Sequence, residues 1–255
     1  MPVFCPIDIP RLTSEQFGRL DFRVMPVAFE VHNEMGCHWD EHVYRAEMLA
    51  RLLHKFPNAV CEVPLRVSFE RFCKTYRLDL VVDEIGVYEL KTVTSIKNTH
   101  VGQVLNYLRL LNGTRAKIIN LRNHRVEGKF INCCDSLHQR RVFEVDSIGY
   151  RGPRSLCDAA HKMLRDLGTK LSNSLYTECL VANIGRTEVR QVWKDRNVFQ
   201  KFDLVADDEA FVVTSMDSGQ HYYRTHLSRM RRTAQLKRFH WINVTSDVVK
   251  IESVE

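Results

Sequence analysis

Tyr76-Arg77-Leu78-Asp79-Leu80-Val81-Val82-Asp83-Glu84-Ile85-Gly86-Val87-Tyr88-Glu89-Leu90-Lys91 reads as two strands joined by a tight turn that contains Gly86. In the first strand Arg77, Asp79 and Val81 alternate with Leu78, Leu80 and Val82, so one face carries Asp79 while the other is apolar. In the second, Glu89 and Lys91 are two apart and the period of a strand points both to one side. A register that sets Asp79 opposite Glu89 would gather two carboxylates and an ammonium. Such a cluster is costly to bury unless a cation sits among the acids.

Upstream, Ser14 to Glu34 has helical spacing through Phe17, Leu20, Val24, Val27 and Val31, with Gly36 as its C-cap and Pro26 expected to kink or divide it. A second helix is expected from about Trp39 to Lys55, with Glu41 and Tyr44 three apart on neighbouring positions. Val63, Leu65, Val67 and Phe69 alternate as a half-buried strand, and Pro64 assigns that strand to a sheet edge or places itself at the strand's start. Downstream, Asn98 or Thr99 caps a helix that runs to Leu111 and places His100, Gln103 and Tyr107 on one face. Ala116 to Leu121 is a short apolar strand. Helix, three strands, helix, strand is a compact α/β order in which the second helix serves as a crossover.

Residues 148–155, with two glycines and a proline, read as a linker, and the chain after them resembles the chain before them. Gly36 and Tyr44 are eight apart, as are Gly168 and Tyr176. Arg77-Leu78-Asp79-Leu80-Val81-Val82-Asp83 matches Lys201-Phe202-Asp203-Leu204-Val205-Ala206-Asp207. Ile118-Ile119-Asn120-Leu121 matches Trp241-Ile242-Asn243-Val244. The expectation is an internal duplication, domain 1–147 and domain 148–255. Counting from Asp203 places Val213 at the Glu89 position and Ser215 at the Lys91 position; counting from Tyr176 places Asn173 at the Glu41 position. The second copy would keep the fold and lack the site.

Composition bounds the function loosely. Among 255 residues 44% are hydrophobic, enough for real cores, and the formal charge of +6 permits a nucleic-acid partner without requiring one. No run approaches about 18 apolar residues and no leader pattern opens the chain, so a soluble, cytoplasmic protein with no membrane partner is expected. The eight cysteines include no C-x-x-C pair and read as reduced thiols. His38 and His42, four apart, invite a zinc reading, but the acid stands beside the second histidine and not after the first.

Asp79 and Glu89 are hard oxygen ligands of the kind that hold Mg2+ or Mn2+, and the Leu90 carbonyl adds a third. Metal held this way neutralises charge on a phosphorane and generates hydroxide near neutral pH, while Lys91 orients or deprotonates the attacking water and Glu41 completes the shell. Glu89-x-Lys91 alone fits an exposed ion pair; Asp79, Glu41 and Gln103 in series turn it towards a metal site. Asp79 followed by Glu89-Leu90-Lys91 resembles the D…E-x-K signature of the PD-(D/E)XK nuclease superfamily. More narrowly, Ala28-Phe29-Glu30-Val31-His32, Met35-Gly36, Glu41-His42-Val43-Tyr44 and His100 to Leu108 resemble the GxxExxY protein family over residues 13–125. The glycine of that family's name falls on His38. The resemblance implies a restriction-endonuclease-like αβββαβ core, here in two tandem copies with the second degenerate. It also implies Asp79 and Glu89 as metal ligands, Lys91 as catalytic, and Glu41 and Gln103 in support.

Arg224, Arg229, Arg231, Arg232, Lys237 and Arg238 form an acid-free stretch beside Tyr222, Tyr223 and Phe239. It reads as a phosphate-binding face of the second copy or as a solvated helix face. The expected activity is metal-dependent phosphodiester hydrolysis of nucleic acid, with DNA as the expected substrate and a homodimer allowed. The alternative is a non-catalytic nucleic-acid-binding or protein-interaction module that retains the nuclease fold.

Overall fold

In a computed structural model that describes residues 2–193 and 197–255, the chain divides into two units. The first consists of Val3–Val67 and Lys74–Ser136, and the second is built on Leu137–Glu255 together with Ser68–Cys73. Among the described residues no helix is long and apolar enough to cross a membrane.

The first unit runs β1 (Val3–Phe4), α1 (Ser14–Met35), α2 (Glu41–Leu53), β2 (Val60–Phe69), β3 (Phe72–Val82), β4 (Gly86–Lys91), α3 (Asn98–Leu111), β5 (Arg115–Asn120) and β6 (Glu127–Asn132). Its strands form one sheet in the order β1-β2-β3-β4-β5-β6. The β4–β5 pair is parallel, with α3 as the crossover, and β3–β4 is an antiparallel hairpin. Thr13 caps α1 in a box with Gln16, each bonding the other's backbone N–H. Phe17, Leu20, Val24, Val27, Ala28 and Val31 bury one stripe of α1 against Leu80, Val82, Tyr88 and Leu90. Full burial stabilises each such side chain by about 1.5–3 kcal/mol.

Several local expectations are corrected. Pro26 does not divide α1, because it lies on the exposed side, where the carbonyl it leaves without a partner faces water. Gly86 is not in the turn; it opens β4, and the left-handed turn residues are Asp83 (φ 56°) and Glu84 (φ 61°). Gly86 is needed for close approach, since a Cβ there would overlap the Leu20 side chain of α1. His38 precedes α2, whose N-cap is Asp40, so His38 and His42 do not share a helix face. Pro64, by contrast, keeps the edge position expected of it: it lies inside β2 where β1, which covers only Arg66 and Val67, leaves the edge open.

The second unit runs α4 (Leu137–Arg140), β7 (Glu144–Asp146), α5 (Arg154–Leu167), α6 (Asn173–Ile184), β8 (Arg186–Trp193), β9 (Val198–Ala206), β10 (Glu209–Thr214), α7 (Gln220–Thr233), β11 (Arg238–Val244) and β12 (Val248–Val254). The sheet order is β7-β12-β11-β10-β9-β8. From α5 onward it repeats the order of the first unit: two helices, a three-strand meander, a crossover helix, a strand parallel to the third, and an antiparallel last strand. Leu137–Asp146, placed before 148 by the sequence division, join this unit because β7 pairs with β12. The segment read as a linker is clasped: Arg151 N donates to Ser253 Oγ at 2.9 Å, Ser253 N donates to Gly149 O at 3.0 Å, and buried His240 bridges Ser253 and Glu209.

Two clasps recur in both units. Tyr44 Oη donates to Gly36 O at 2.6 Å, and Tyr176 Oη donates to Gly168 O at 2.6 Å. Both glycines have left-handed φ, 76° and 81°, and both tyrosines are fully buried. Asn120 pairs both backbone groups of Val93, and Asn243 those of Met216, in each case 27 residues away. The eight-residue spacing of the glycine and tyrosine is therefore a hydrogen bond. Tyr44→Phe or Tyr176→Phe leaves a helix-terminal carbonyl without its partner and should cost about 1–2 kcal/mol each. Urea unfolding of the two variants checks this, and equal loss in both would show the clasps to be equivalent.

Candidate active site

All six residues of β4 are buried, and the strand lies between β3 and β5. Strand periodicity turns Tyr88 and Leu90 towards the α1 core and Glu89 and Lys91 to the opposite face. The β3–β4 register pairs Leu80 with Tyr88 and Val81 with Val87, which carried one step further sets Asp79 beside Glu89. Glu41 arrives as the first residue of α2, and the Tyr44 clasp fixes the α1–α2 turn from which that helix starts.

Lys91 Nζ is the centre of the group. It donates to Glu89 Oε1 and to Leu90 O, each at 2.8 Å, and lies 3.6 Å from Glu41 Oε2 and 3.8 Å from Asp79 Oδ2. Asp79 Oδ2 also accepts the Leu90 N–H at 2.9 Å. Glu89 Oε2 is buried with no hydrogen-bond partner. Among the described residues no three His, Cys, Asp or Glu side chains close around one point as a ready metal cage. The ammonium occupies the middle, with four oxygen-bearing groups around it and one buried carboxylate oxygen still unsatisfied. That donor set is hard and anionic, the chemistry that suits Mg2+ or Mn2+.

Gln103, expected in support, is exposed on α3 and donates to Tyr107 Oη at 2.8 Å. Tyr107 is 5% exposed and was not assigned to the site in the sequence; its hydroxyl pKa is raised, first by burial and then by Glu89 and Asp79. His100 accepts the Lys97 N–H through Nδ1 at 3.1 Å, a helix-start bond. Arg45 was also missed. Its guanidinium spans Asp79 Oδ1 at 3.1 Å and Glu62 Oε1 at 2.7 Å. The available signal was its position four residues after Glu41, on the same helix face.

In the second unit the ladder revises the sequence count. Lys91 pairs with Asn120 and Thr214 with Asn243, and these asparagines make the same clasp, so Thr214 stands at the Lys91 position and Val212 at the Glu89 position. The expected positions, Ser215 and Val213, are one residue too far along this ladder, and the β9–β10 hairpin, with a shorter turn and a bulge, pairs Asp203 with Phe211. Asn173 does open α6 as Glu41 opens α2, and its Oδ1 accepts from Ser215 Oγ at 2.7 Å. Asp203 Oδ1 accepts from Thr187 Oγ1 at 2.7 Å.

The basic stretch is split by the fold. Arg224, Arg229, Arg231 and Arg232 lie on α7, Lys237 in the following turn, and Arg238 on β11. Arg229, Arg232, Arg224 and Lys237 are exposed, the last two within 3.4 Å of Glu252 and 3.7 Å of Glu209 respectively. Arg231 donates to the Leu236 and Lys237 carbonyls. Arg238 pairs with Glu209 and Glu255.

A family model described as the PD-(D/E)XK nuclease superfamily matches residues 19–131, the span that contains Glu41, Asp79, Glu89, Lys91 and Gln103. No curated protein and no solved structure matches the chain.

Electrostatics makes this site expensive. Burial, then Asp79, pushes Glu89 up to about 7 against the attraction of Lys91, and burial raises Glu41. The carboxylates in turn raise Lys91 against its own desolvation. Because the folded pKa of Glu89 exceeds its unfolded value, the folded state binds a proton that the unfolded chain has released. Stability therefore falls as pH rises from the ordinary carboxylate range through about 7. Glu89→Gln removes a cost on the order of 2 kcal/mol. Without metal, the first unit of that variant should melt roughly 6–10 °C higher than wild type at pH 8. At pH 5 the two should coincide, and calorimetric scans at both pH values check the sign.

Proposed function

From the place of residues 19–131 in the PD-(D/E)XK nuclease superfamily, we propose that the first unit is a metal-dependent nuclease and the second a copy that has lost its site. The observation that carries this reading is the convergence of Glu41, Asp79, Glu89 and the Leu90 carbonyl on one ammonium beside an unpartnered buried Glu89 oxygen. Glu89, Asp79 and Glu41 would hold Mg2+ or Mn2+, which supplies charge neutralisation at the phosphoryl oxygens and a water acidic enough to attack near neutral pH. Lys91, kept an ammonium by the acids around it, would orient an attacking water and offset developing negative charge. Tyr107 and Gln103 extend the hydrogen-bonding edge of the site along α3. The finer placement in the GxxExxY group rests on Glu41 and Tyr44, with Tyr44 anchoring the turn that presents Glu41.

The second unit keeps both clasps and the strand order but has Asn173, Val212 and Thr214 where the first has Glu41, Glu89 and Lys91. At those places the described residues supply no second set of ligands. The exposed Arg224, Arg229, Arg232 and Lys237 give it a basic surface that suits phosphate backbones in a sequence-independent way. One active site per chain makes nicking the first event on duplex DNA.

Purified protein on supercoiled DNA with Mg2+ or Mn2+ should accumulate open circles before linear product, and Glu89→Ala or Lys91→Ala should slow this by about 100-fold or more. Absence of cleavage by wild type across DNA and RNA forms, or rates unchanged in both variants, would sink the enzymatic reading. If calorimetry then shows no divalent-metal heat while DNA still binds, the non-catalytic module is the better account. Arg229→Ala with Arg232→Ala should weaken DNA binding and flatten its salt dependence by roughly two phosphate contacts. An unchanged salt slope would remove α7 from the binding surface.

A further inference from the structure

The one ligand-type carboxylate of the site with both oxygens engaged is Asp79. Leu90 N occupies Oδ2 at 2.9 Å, and Arg45 Nη1 occupies Oδ1 at 3.1 Å. Arg45 does not belong to Asp79 alone. Its Nη2 makes the shorter contact, 2.7 Å to Glu62 Oε1, and Arg77 Nε stands 3.7 Å from the other Glu62 oxygen. Glu62 is held on β2 with φ 54°, a left-handed conformation rare for glutamate, which places its carboxylate on the same guanidinium. The Arg45 side chain is 18% exposed and bridges both carboxylates at once under partial desolvation.

We propose that Arg45 is an exchangeable counter-charge that sets metal affinity: it pairs with Asp79 when the site holds no metal and is drawn onto Glu62 when a divalent cation takes the Asp79 carboxylate. The inference rests on the metal-dependent reading of the site and adds a positioning role for two residues that touch neither metal nor substrate. Its logic is electrostatic. A guanidinium on Asp79 satisfies a buried carboxylate that would otherwise repel Glu89 and Glu41, but the same positive charge opposes a second cation. Glu62 lowers the cost of moving the guanidinium, because a salt-bridge partner is already in place on the far side. The two residues therefore act in opposite directions. Loss of Arg45 frees Asp79 and favours metal, whereas loss of the Glu62 charge leaves Arg45 on Asp79 and disfavours metal.

Calorimetric titration of Mn2+, and of Ca2+ as a cation not expected to support turnover, into the full chain tests this without reference to cleavage. Arg45→Met should bind about tenfold tighter than wild type, within the usual range for coupled sites. Glu62→Gln should bind severalfold weaker, and the double variant should match Arg45→Met, since Glu62 has nothing left to hold. Arg45→Lys, which keeps the charge, should stay within about threefold of wild type and guards against a folding artefact in the methionine variant. A shared direction in Arg45→Met and Glu62→Gln, or an Arg45→Met affinity equal to wild type while wild type binds, overturns the exchange and leaves the metal site standing. Binding seen only once Arg45 is removed supports it strongly. No metal heat in wild type, Arg45→Met or the double variant overturns the metal-dependent reading and the exchange together.

Discussion

The first unit depends on one unfavourable fact: two buried carboxylates and a third, partly exposed one, approach one another. Glu89 is 2% exposed and Asp79 7%, and at such burial like charges repel strongly. The Lys91 ammonium makes the arrangement tolerable by touching or approaching all three, and Arg45 shares the work at Asp79. The compensation is incomplete. Glu89 keeps a raised pKa and an unsatisfied oxygen, the signature of a site arranged for something other than stability.

The sheet leaves the site little freedom to relax. β4 lies between two partners, one antiparallel and one parallel, so a shift of one residue would turn Glu89 and Lys91 into the α1 core and bring Tyr88 and Leu90 out of it. Gly86 helps to lock that register. A Cβ there would displace the Leu20 side chain of α1 that packs against the start of the strand. The apolar face of α1 is thus coupled to the polar face on the other side of β4, and core packing holds charges in a cluster that they would otherwise leave.

This division also explains what could be read in the chain. Period-two alternation exposed the hairpin and its charged face, and helical spacing exposed α1, α2 and α3, because each reports a repeated local geometry. The glycine–tyrosine spacing was visible as a pattern before its cause, a hydrogen bond from tyrosine to glycine carbonyl, could be known. What stayed hidden was set by long-range register. The β10–β11 register puts Thr214, not Ser215, at the Lys91 position, which no count along the chain can detect. Arg45, four residues after Glu41, carried only a weak signal because an arginine on a helix surface is ordinary, and its second partner, the left-handed Glu62, lies on a distant strand. Residues 148–155 looked like a linker because glycine and proline mark turns equally well when the turn is clasped.

The second unit is the internal control for the cost of the first. Its corresponding places carry Val212 and Thr214, and Thr214 Oγ1 donates to Asn243 and accepts from the Trp241 indole at 2.7 Å each, so the residues at the Glu89 and Lys91 places are neutral and the hydroxyl is satisfied. No cation is needed to hold such an arrangement together. Under the proposed duplication, the same scaffold shows the strain of two buried acids and a partly exposed third in one unit and its relief in the other. A buried polar group without function tends to be replaced by one that packs, because each unpaired charge costs more than the contacts it makes return. That Glu41, Asp79, Glu89 and Lys91 stand together in the first unit, against this drift, is the physical argument that the cluster is retained for what it binds.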